Sequence, residues 1–224
     1  MRRVVLLPGM DGTGALFRGF VTHTPAGFAP EIAALPAEPA THDALARRMG
    51  PALGLDRGCV LVAESYSGPL ALRLAAEHPV AALVLVNSFV APPRHRALRL
   101  LAMPLLFRLA PPRAAIRHFF VGPAASNALV DEVRTAVASV PPGVLAARLA
   151  EVLRADAGAW LARVTAPLLY LRGTEDRLVP EASVRRIAQA RPMRIVRIPG
   201  PHLLLQAAPA AAWAAIARFV DDVA

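Results

Sequence analysis

The stretch from Cys59 to Pro79, CVLVAESYSGPLALRLAAEHP, decides how the chain folds. It opens on an unbroken apolar run, Val60-Leu61-Val62-Ala63, the pattern of a strand buried on both faces. From Pro69 onward the apolar residues Leu70, Leu72, Leu74 and Ala75 follow a helical spacing. Only Glu64-Ser65-Tyr66 separates the two patterns, so the chain must pass from strand to helix through a tight turn. Such a turn needs small neighbours, and Ala63 stands on one side with Ser67 and Gly68 on the other. It lifts Ser65 above the sheet and sets the amide of Tyr66 at a helix N-terminus, where partial positive charge favours a developing oxyanion.

Working outward, further elements repeat the rhythm. An apolar run at Arg3 to Leu7 predicts a first strand, and Glu31 to Leu35 a short extended piece. Thr41 to Leu53 predicts a helix with Gly54 just past its end. Ala82 to Val86 and Pro167 to Leu171 read as buried strands, Pro180 to Ala190 as a helix and Arg194 to Ile198 as the last strand. A closing helix from Pro209 turns Trp213, Ile216, Phe219 and Val220 inward. The alternation predicts an α/β fold, a mostly parallel sheet of about six strands with helices on both faces.

From Ala91 the pattern changes. Arg94, Arg96, Arg99, Arg108, Arg113 and Arg117 are scattered among Leu100, Leu101, Leu105, Phe107, Phe119 and Phe120, and no acidic residue occurs between Glu77 and Asp131. Prolines at 104, 111, 112, 141 and 142 break the helical pieces, and no buried-strand run appears before Pro167. The expected organisation is a core of residues 1–90 and 157–224 with a helical insertion at 91–156. Its basic and apolar mixture reads as a solvated cationic face over a helical contact, as a surface for an acidic carrier or anionic substrate, or as an interfacial lipid contact.

The first strand runs into Pro8-Gly9-Met10-Asp11-Gly12-Thr13-Gly14. A phosphate-binding P-loop ends in Gly-Lys-Ser/Thr, and the chain has no lysine; a dinucleotide fingerprint reads G-x-G-x-x-G, whereas this loop reads G-x-x-G-x-G. A ligand-free glycine turn and an amide-donor loop stay open. Asp176, in GTEDRLVP, and His202, in PGPHLLL, each follow a predicted strand, as do Ser65 and the Met10 loop. In an open α/β sheet, that C-terminal edge is where ligands bind.

The segment Ala63-Glu64-Ser65-Tyr66-Ser67 has the small-x-Ser-x-small form of the nucleophile elbow, and with the order Ser, Asp, His the chain resembles the α/β-hydrolase superfamily. Both outer glycines of the usual motif are replaced, and Pro8 stands where histidine is common in the oxyanion loop. The resemblance implies Ser65 as nucleophile, His202 as base and Asp176 as its orienting acid. It also implies the amides of Met10 and Tyr66 as oxyanion donors, and the 91–156 insertion as a cap over the site. Ser67 is the alternative nucleophile and Glu175 the alternative acid. His23, His42, His78, His95 and His118 sit in no motif and read as structural. Relatives that dehalogenate or open epoxides carry Asp at the elbow and dienelactone hydrolases Cys, so a serine implies acyl transfer to water.

With 224 residues and 55% hydrophobic content, the chain can bury a full core. All 25 basic residues are arginine and the net charge is +9, yet they are dispersed and no nucleic-acid-binding motif is present. The single cysteine, Cys59, excludes an intrachain disulfide and a cysteine-rich metal site. The N-terminal apolar run is too short for a signal-peptide core, no run reaches membrane-span length, and a cytoplasmic location is expected. The expected activity is hydrolysis of small to medium acyl esters without a metal or organic cofactor. A thioesterase or acyl-carrier-protein ester hydrolase, similar to pimeloyl-ACP methyl ester esterases, is the alternative. A non-catalytic ligand-binding protein on a hydrolase scaffold is the alternative of another class. Nothing in the sequence fixes the oligomeric state.

Overall fold

The computed structural model describes residues 1–55, 58–92 and 104–223. Arg94, His95, Arg96, Arg99, Leu100 and Leu101 of the basic segment lie outside the described residues.

Six parallel strands form one sheet in the order β2-β1-β3-β4-β5-β6: β1 Arg2–Leu7, β2 Phe28–Ile32, β3 Val60–Glu64, β4 Ala82–Val86, β5 Leu168–Gly173 and β6 Arg194–Ile198. The helices in chain order are α1 Arg18–Val21, α2 His42–Leu53, α3 Gly68–Glu77, α4 Arg113–Ile116, α5 Asn127–Ala138, α6 Pro142–Arg154, α7 Gly158–Arg163, α8 Glu181–Ala190, α9 Leu204–Ala207 and α10 Pro209–Val223. Because side chains alternate along a strand, the continuous apolar runs divide between two cores. Val5, Leu7, Leu61, Ala63, Leu83, Leu85 and Tyr170 join Leu45 of α2, Leu70 of α3 and Ile187 of α8 on one face. Val4, Leu6, Val60, Val62, Val84 and Leu171 join Phe20 of α1 and Trp213 and Ile216 of α10 on the other. Trp213 stacks on Phe20 at 4.7 Å, and its Nε1–H donates to the Phe20 carbonyl at 2.9 Å, so the largest core side chain leaves no polar atom stranded.

Most elements fall where the periodicity puts them, and the departures have local causes. The second strand begins at Phe28 and ends at Ile32, earlier than the expected Glu31 to Leu35, because buried Phe28 anchors its start beside Arg2 of β1. As an edge strand it tolerates Pro30. Thr41 caps α2 by accepting from the Ala44 amide at 3.1 Å, and Gly54 closes it. The two-turn-or-shorter helix α9 had no periodicity long enough to detect.

Between β4 and β5 every regular element among the described residues 104–163 is helical, with a π-helical turn at Arg117–Val121. Among the described residues no single helix is long and apolar enough to cross a membrane. Cys59, at the foot of β3, is free and 2% exposed; burial pushes its thiol up to about 11, partly offset by Arg3.

Candidate active site

Parallel pairing brings the C-terminal ends of β1, β3, β4, β5 and β6 to one rim. The order β2-β1-β3 makes the chain leave β1 to one side and return on the other, the switch point at which open α/β sheets bind ligands. The Met10 loop and the elbow follow the two strands that meet there.

At the elbow Ser65 has φ 49°, in the left-handed region. A short 3₁₀ turn, Ser65–Ser67, then leads into α3 at Gly68, one residue ahead of the expected Pro69. The elbow is held from beneath. Ser88 Oγ donates to the Ser65 carbonyl at 2.6 Å, and a Cβ at position 68 would stand 1.8 Å from that Oγ, so glycine is required there. Ser67 is fully buried and its hydroxyl donates to the Pro8 carbonyl, which ties the elbow to the first residue of the Met10 loop. That bond accounts for serine where the motif usually has glycine. It also leaves Ser67 no role as nucleophile.

Ser65 Oγ lies 2.9 Å from His202 Nε2, and His202 Nδ1 lies 3.0 Å from Asp176 Oδ1. A carboxylate accepts only, so Nδ1 carries the proton and Nε2 is free to accept from the serine hydroxyl. Asp176 Oδ1 also accepts from the Leu178 and Val179 amides at 2.8 and 3.2 Å, and Oδ2 from Arg172 at 2.8 Å. Burial pushes the Asp176 carboxyl up, but His202, the amide donors and Arg172 together outweigh it and hold it below the usual carboxylate range. Glu175 is exposed, and its backbone amide donates to the Gly200 carbonyl at 2.9 Å.

Several contributing residues escaped the sequence reading. Asn87, fully buried at the end of β4, donates from Nδ2 to the Pro201 and His202 carbonyls at 3.1 and 2.8 Å and accepts from the Gly173 amide at 2.8 Å. It fixes the acid strand against the histidine loop. A polar pair ending a buried strand, Asn87-Ser88, was the available signal. Glu64, 1% exposed, accepts from Gln206 Nε2 at 3.1 Å; burial raises its carboxyl to about 8, with nearby Asp11 adding to the rise and Gln206 and the Leu205 amide opposing it. Arg148 and His42, read respectively not at all and as structural, also converge on the rim.

Above His202 the surroundings are apolar. The Phe120 ring stands edge-on at 6.1 Å, and Leu203 and Leu16 join Ile116 and Val121 in one cluster. The Met10 loop is a turn closed by the Gly12 amide on the Gly9 carbonyl at 3.0 Å. Asp11 stabilises it by accepting from the Thr13 amide at 3.0 Å and hydroxyl at 2.6 Å.

Comparison with known proteins agrees with this architecture. Residues 4–216 match the model of the alpha/beta hydrolase family. A stretch of 140 residues, 58% of the chain, is 34% identical to RutD of Variovorax paradoxus (strain S110), a protein named as a carbamate hydrolase; the match spans 53% of that relative. A thermophilic esterase from Thermogutta terrifontis superposes with TM-score 0.85 at 21% identity, over 100% of this chain and 90% of that one. A bromoperoxidase from Bacillus anthracis superposes with TM-score 0.81 at 17% identity, over 99% and 92%. At such identities the two structures speak for the fold alone.

Proposed function

The chain belongs to the alpha/beta hydrolase family, and from that premise we propose that it is a serine hydrolase cleaving carboxylic esters of small to medium acyl groups. The observation that supports this reading most is the chain of contacts from Ser65 Oγ to His202 Nε2 at 2.9 Å and from His202 Nδ1 to Asp176 at 3.0 Å. A serine hydroxyl is a weak nucleophile at neutral pH. His202 therefore takes its proton as Oγ attacks the acyl carbon, and Asp176 stabilises the imidazolium that results. The amides of Met10 and Tyr66 receive the oxyanion. As the tetrahedral intermediate collapses, His202 returns the proton to the departing alkoxide and leaves an acyl group on Ser65. Water, deprotonated by His202, then releases the acid. The apolar cluster of Phe120, Leu203 and Leu16 favours an acyl chain over a charged substituent.

The test is a series of p-nitrophenyl esters from acetate to decanoate with a fluorophosphonate probe. Wild type is labelled and turns over the short and medium esters. Ser65→Ala loses labelling and lowers turnover by more than about 10⁴-fold. Full labelling retained by Ser65→Ala would end the proposal.

The likeness to RutD favours a second reading, hydrolysis of a carbamate. An N-alkyl carbamate in the same series separates the two, since turnover of carbamate above every ester would make it the preferred substrate. An acyl carrier protein as the bearer of the acyl group is a further alternative, supported by the absence of acidic residues between Glu77 and Asp131.

A further inference from the structure

The two amides assigned to the oxyanion come from separate loops, Met10 after β1 and Tyr66 after β3, so their spacing must be set by contacts that reach both. Helix α6, from the segment between β4 and β5, reaches both. Its Arg148 is 2% exposed, and its guanidinium lies against the Met10 loop. Nη1 donates to the Met10 and Asp11 carbonyls at 2.9 and 2.6 Å, and Nη2 to the Pro36 carbonyl at 2.8 Å. Three backbone dipoles thus solvate a buried cation. The loop is shaped to receive it: Gly12 has φ +68°, and a Cβ there would stand 2.4 Å from Nη1. The Gly9 carbonyl is turned inward onto the Gly12 amide. Across a trans peptide N–H and C=O point in opposite directions, so the Met10 N–H is turned outward. Arg148 holds the next two carbonyls, and the Met10 peptide is fixed on both sides.

One helical turn further along α6, Glu151 Oε2 accepts from the His42 backbone amide at 3.1 Å. This seats His42 as the first residue of α2, with its ring 4.6 Å from that of Tyr66 and its Nε2 3.1 Å from the Tyr66 carbonyl. A carbonyl only accepts, so Nε2 carries a proton. Burial lowers the His42 pKa, opposed by the Glu151 carboxylate 3.7 Å from Nδ1 and by the Tyr66 carbonyl.

We propose that Arg148 and His42, both anchored through α6, are positioning residues that set the two oxyanion donors, Met10 and Tyr66, at their working separation. The proposal rests on the serine-hydrolase reading above. It makes α6 a fixed part of the catalytic frame, with Leu149 and Val152 of the same helix buried in the core that contains Leu7 and Tyr66.

The two side chains hold carbonyls of the residues that carry the donor amides, so their loss is expected to act on the tetrahedral state. Arg148→Lys keeps the charge but cannot span three carbonyls, and His42→Ala removes the hold on Tyr66. Each is expected to lower kcat for p-nitrophenyl butyrate by about 10- to 100-fold with KM changed less than about twofold. Each should also weaken inhibition by butylboronic acid, which forms a tetrahedral adduct on Ser65, by the same factor as kcat/KM. Free guanidinium should restore part of kcat to Arg148→Ala and none to His42→Ala. A variant with a cooperative melt whose kcat and boronate affinity stay within about twofold of wild type overturns the proposal, as does a raised KM at unchanged kcat. If the Arg148 variants do not fold, His42→Ala decides by the same readouts. Turnover retained by Ser65→Ala, or no inhibition of wild type by the boronic acid, would instead overturn the serine-hydrolase reading beneath it.

Discussion

The acid loop after β5 and the last residue of β3 each bury a carboxyl at the same rim, and their surroundings drive the two to opposite charge states. Asp176 meets the His202 imidazole, the Arg172 guanidinium and two backbone amides, and it is held below the usual carboxylate range. Glu64 meets neutral donors, the Gln206 side-chain amide and the Leu205 backbone amide, with the carboxyl of Asp11 nearby, and burial leaves it at about 8. Desolvation pushes both in the same direction, so the number and charge of the partners decide the outcome. One site is built to carry a negative charge and the other to carry a proton: Asp176 contacts His202 itself, while Glu64 contacts Gln206 of α9, four residues further along the chain.

The strongest way to break this contrast is Asp176→Asn. The amide keeps the shape but lets Nδ1 face a donor, which selects the wrong imidazole tautomer and leaves Arg172 without its carboxylate. Ester turnover is expected to fall by about 10⁴-fold, measured as kcat on a folded variant; a loss of less than about tenfold would show that the acid does not orient His202.

Glu64→Gln should act on stability. Between about 4.5 and about 8, the folded state holds a proton on Glu64 that the unfolded chain has released. This contribution is complete below the unfolded value and is lost as pH rises through the folded one, at up to about 1.4 kcal/mol per pH unit. Asp176 works in the opposite sense: its contribution is present above the ordinary carboxylate value and is lost as pH falls through its depressed one. Denaturant melts of Glu64→Gln at several pH values should show a flatter profile above pH ~5 than wild type. An unchanged slope would mean that Glu64 is ionised in the folded protein.

The smallest effect belongs to Glu175→Gln. Its side chain is exposed and its backbone amide serves the turn, so kcat should stay within about twofold of wild type and stability within about 0.5 kcal/mol. A large kcat loss there would transfer the orienting role from Asp176 to its neighbour.

The centre of the sheet was legible because β1, β3, β4 and β5 each contain a short apolar run bounded by turn residues, whereas the edge strand β2, FAPEI, has none and was displaced; the limits of β4 and β6 coincide with those expected. Ser65, Asp176 and His202 stood out in the sequence because each follows an expected strand within a recognisable loop. The polar supports were not. Asn87 reaches a loop 114 positions away, Gln206 pairs with a residue 142 positions earlier, and Arg148 meets the Met10 loop across 138 positions. No local pattern announces contacts of that range. Arginine is also so frequent in this chain that one buried among 25 basic residues carries no compositional mark. Burial, not residue type, separates Arg148 from the exposed Arg108 and Arg113, and burial is a property of the assembled fold.

Cys59 gives the central strand a chemical reporter. It stands at the foot of β3, its carbonyl accepts from the Ala81 amide at 2.8 Å, and its thiol is 2% exposed. A thiol reagent reaches it only in molecules where β3 has parted from its neighbours, and there is no second cysteine to confuse the signal. The rate of its modification therefore reads the opening equilibrium of the strand that carries the nucleophile, in an intact molecule and without any substrate.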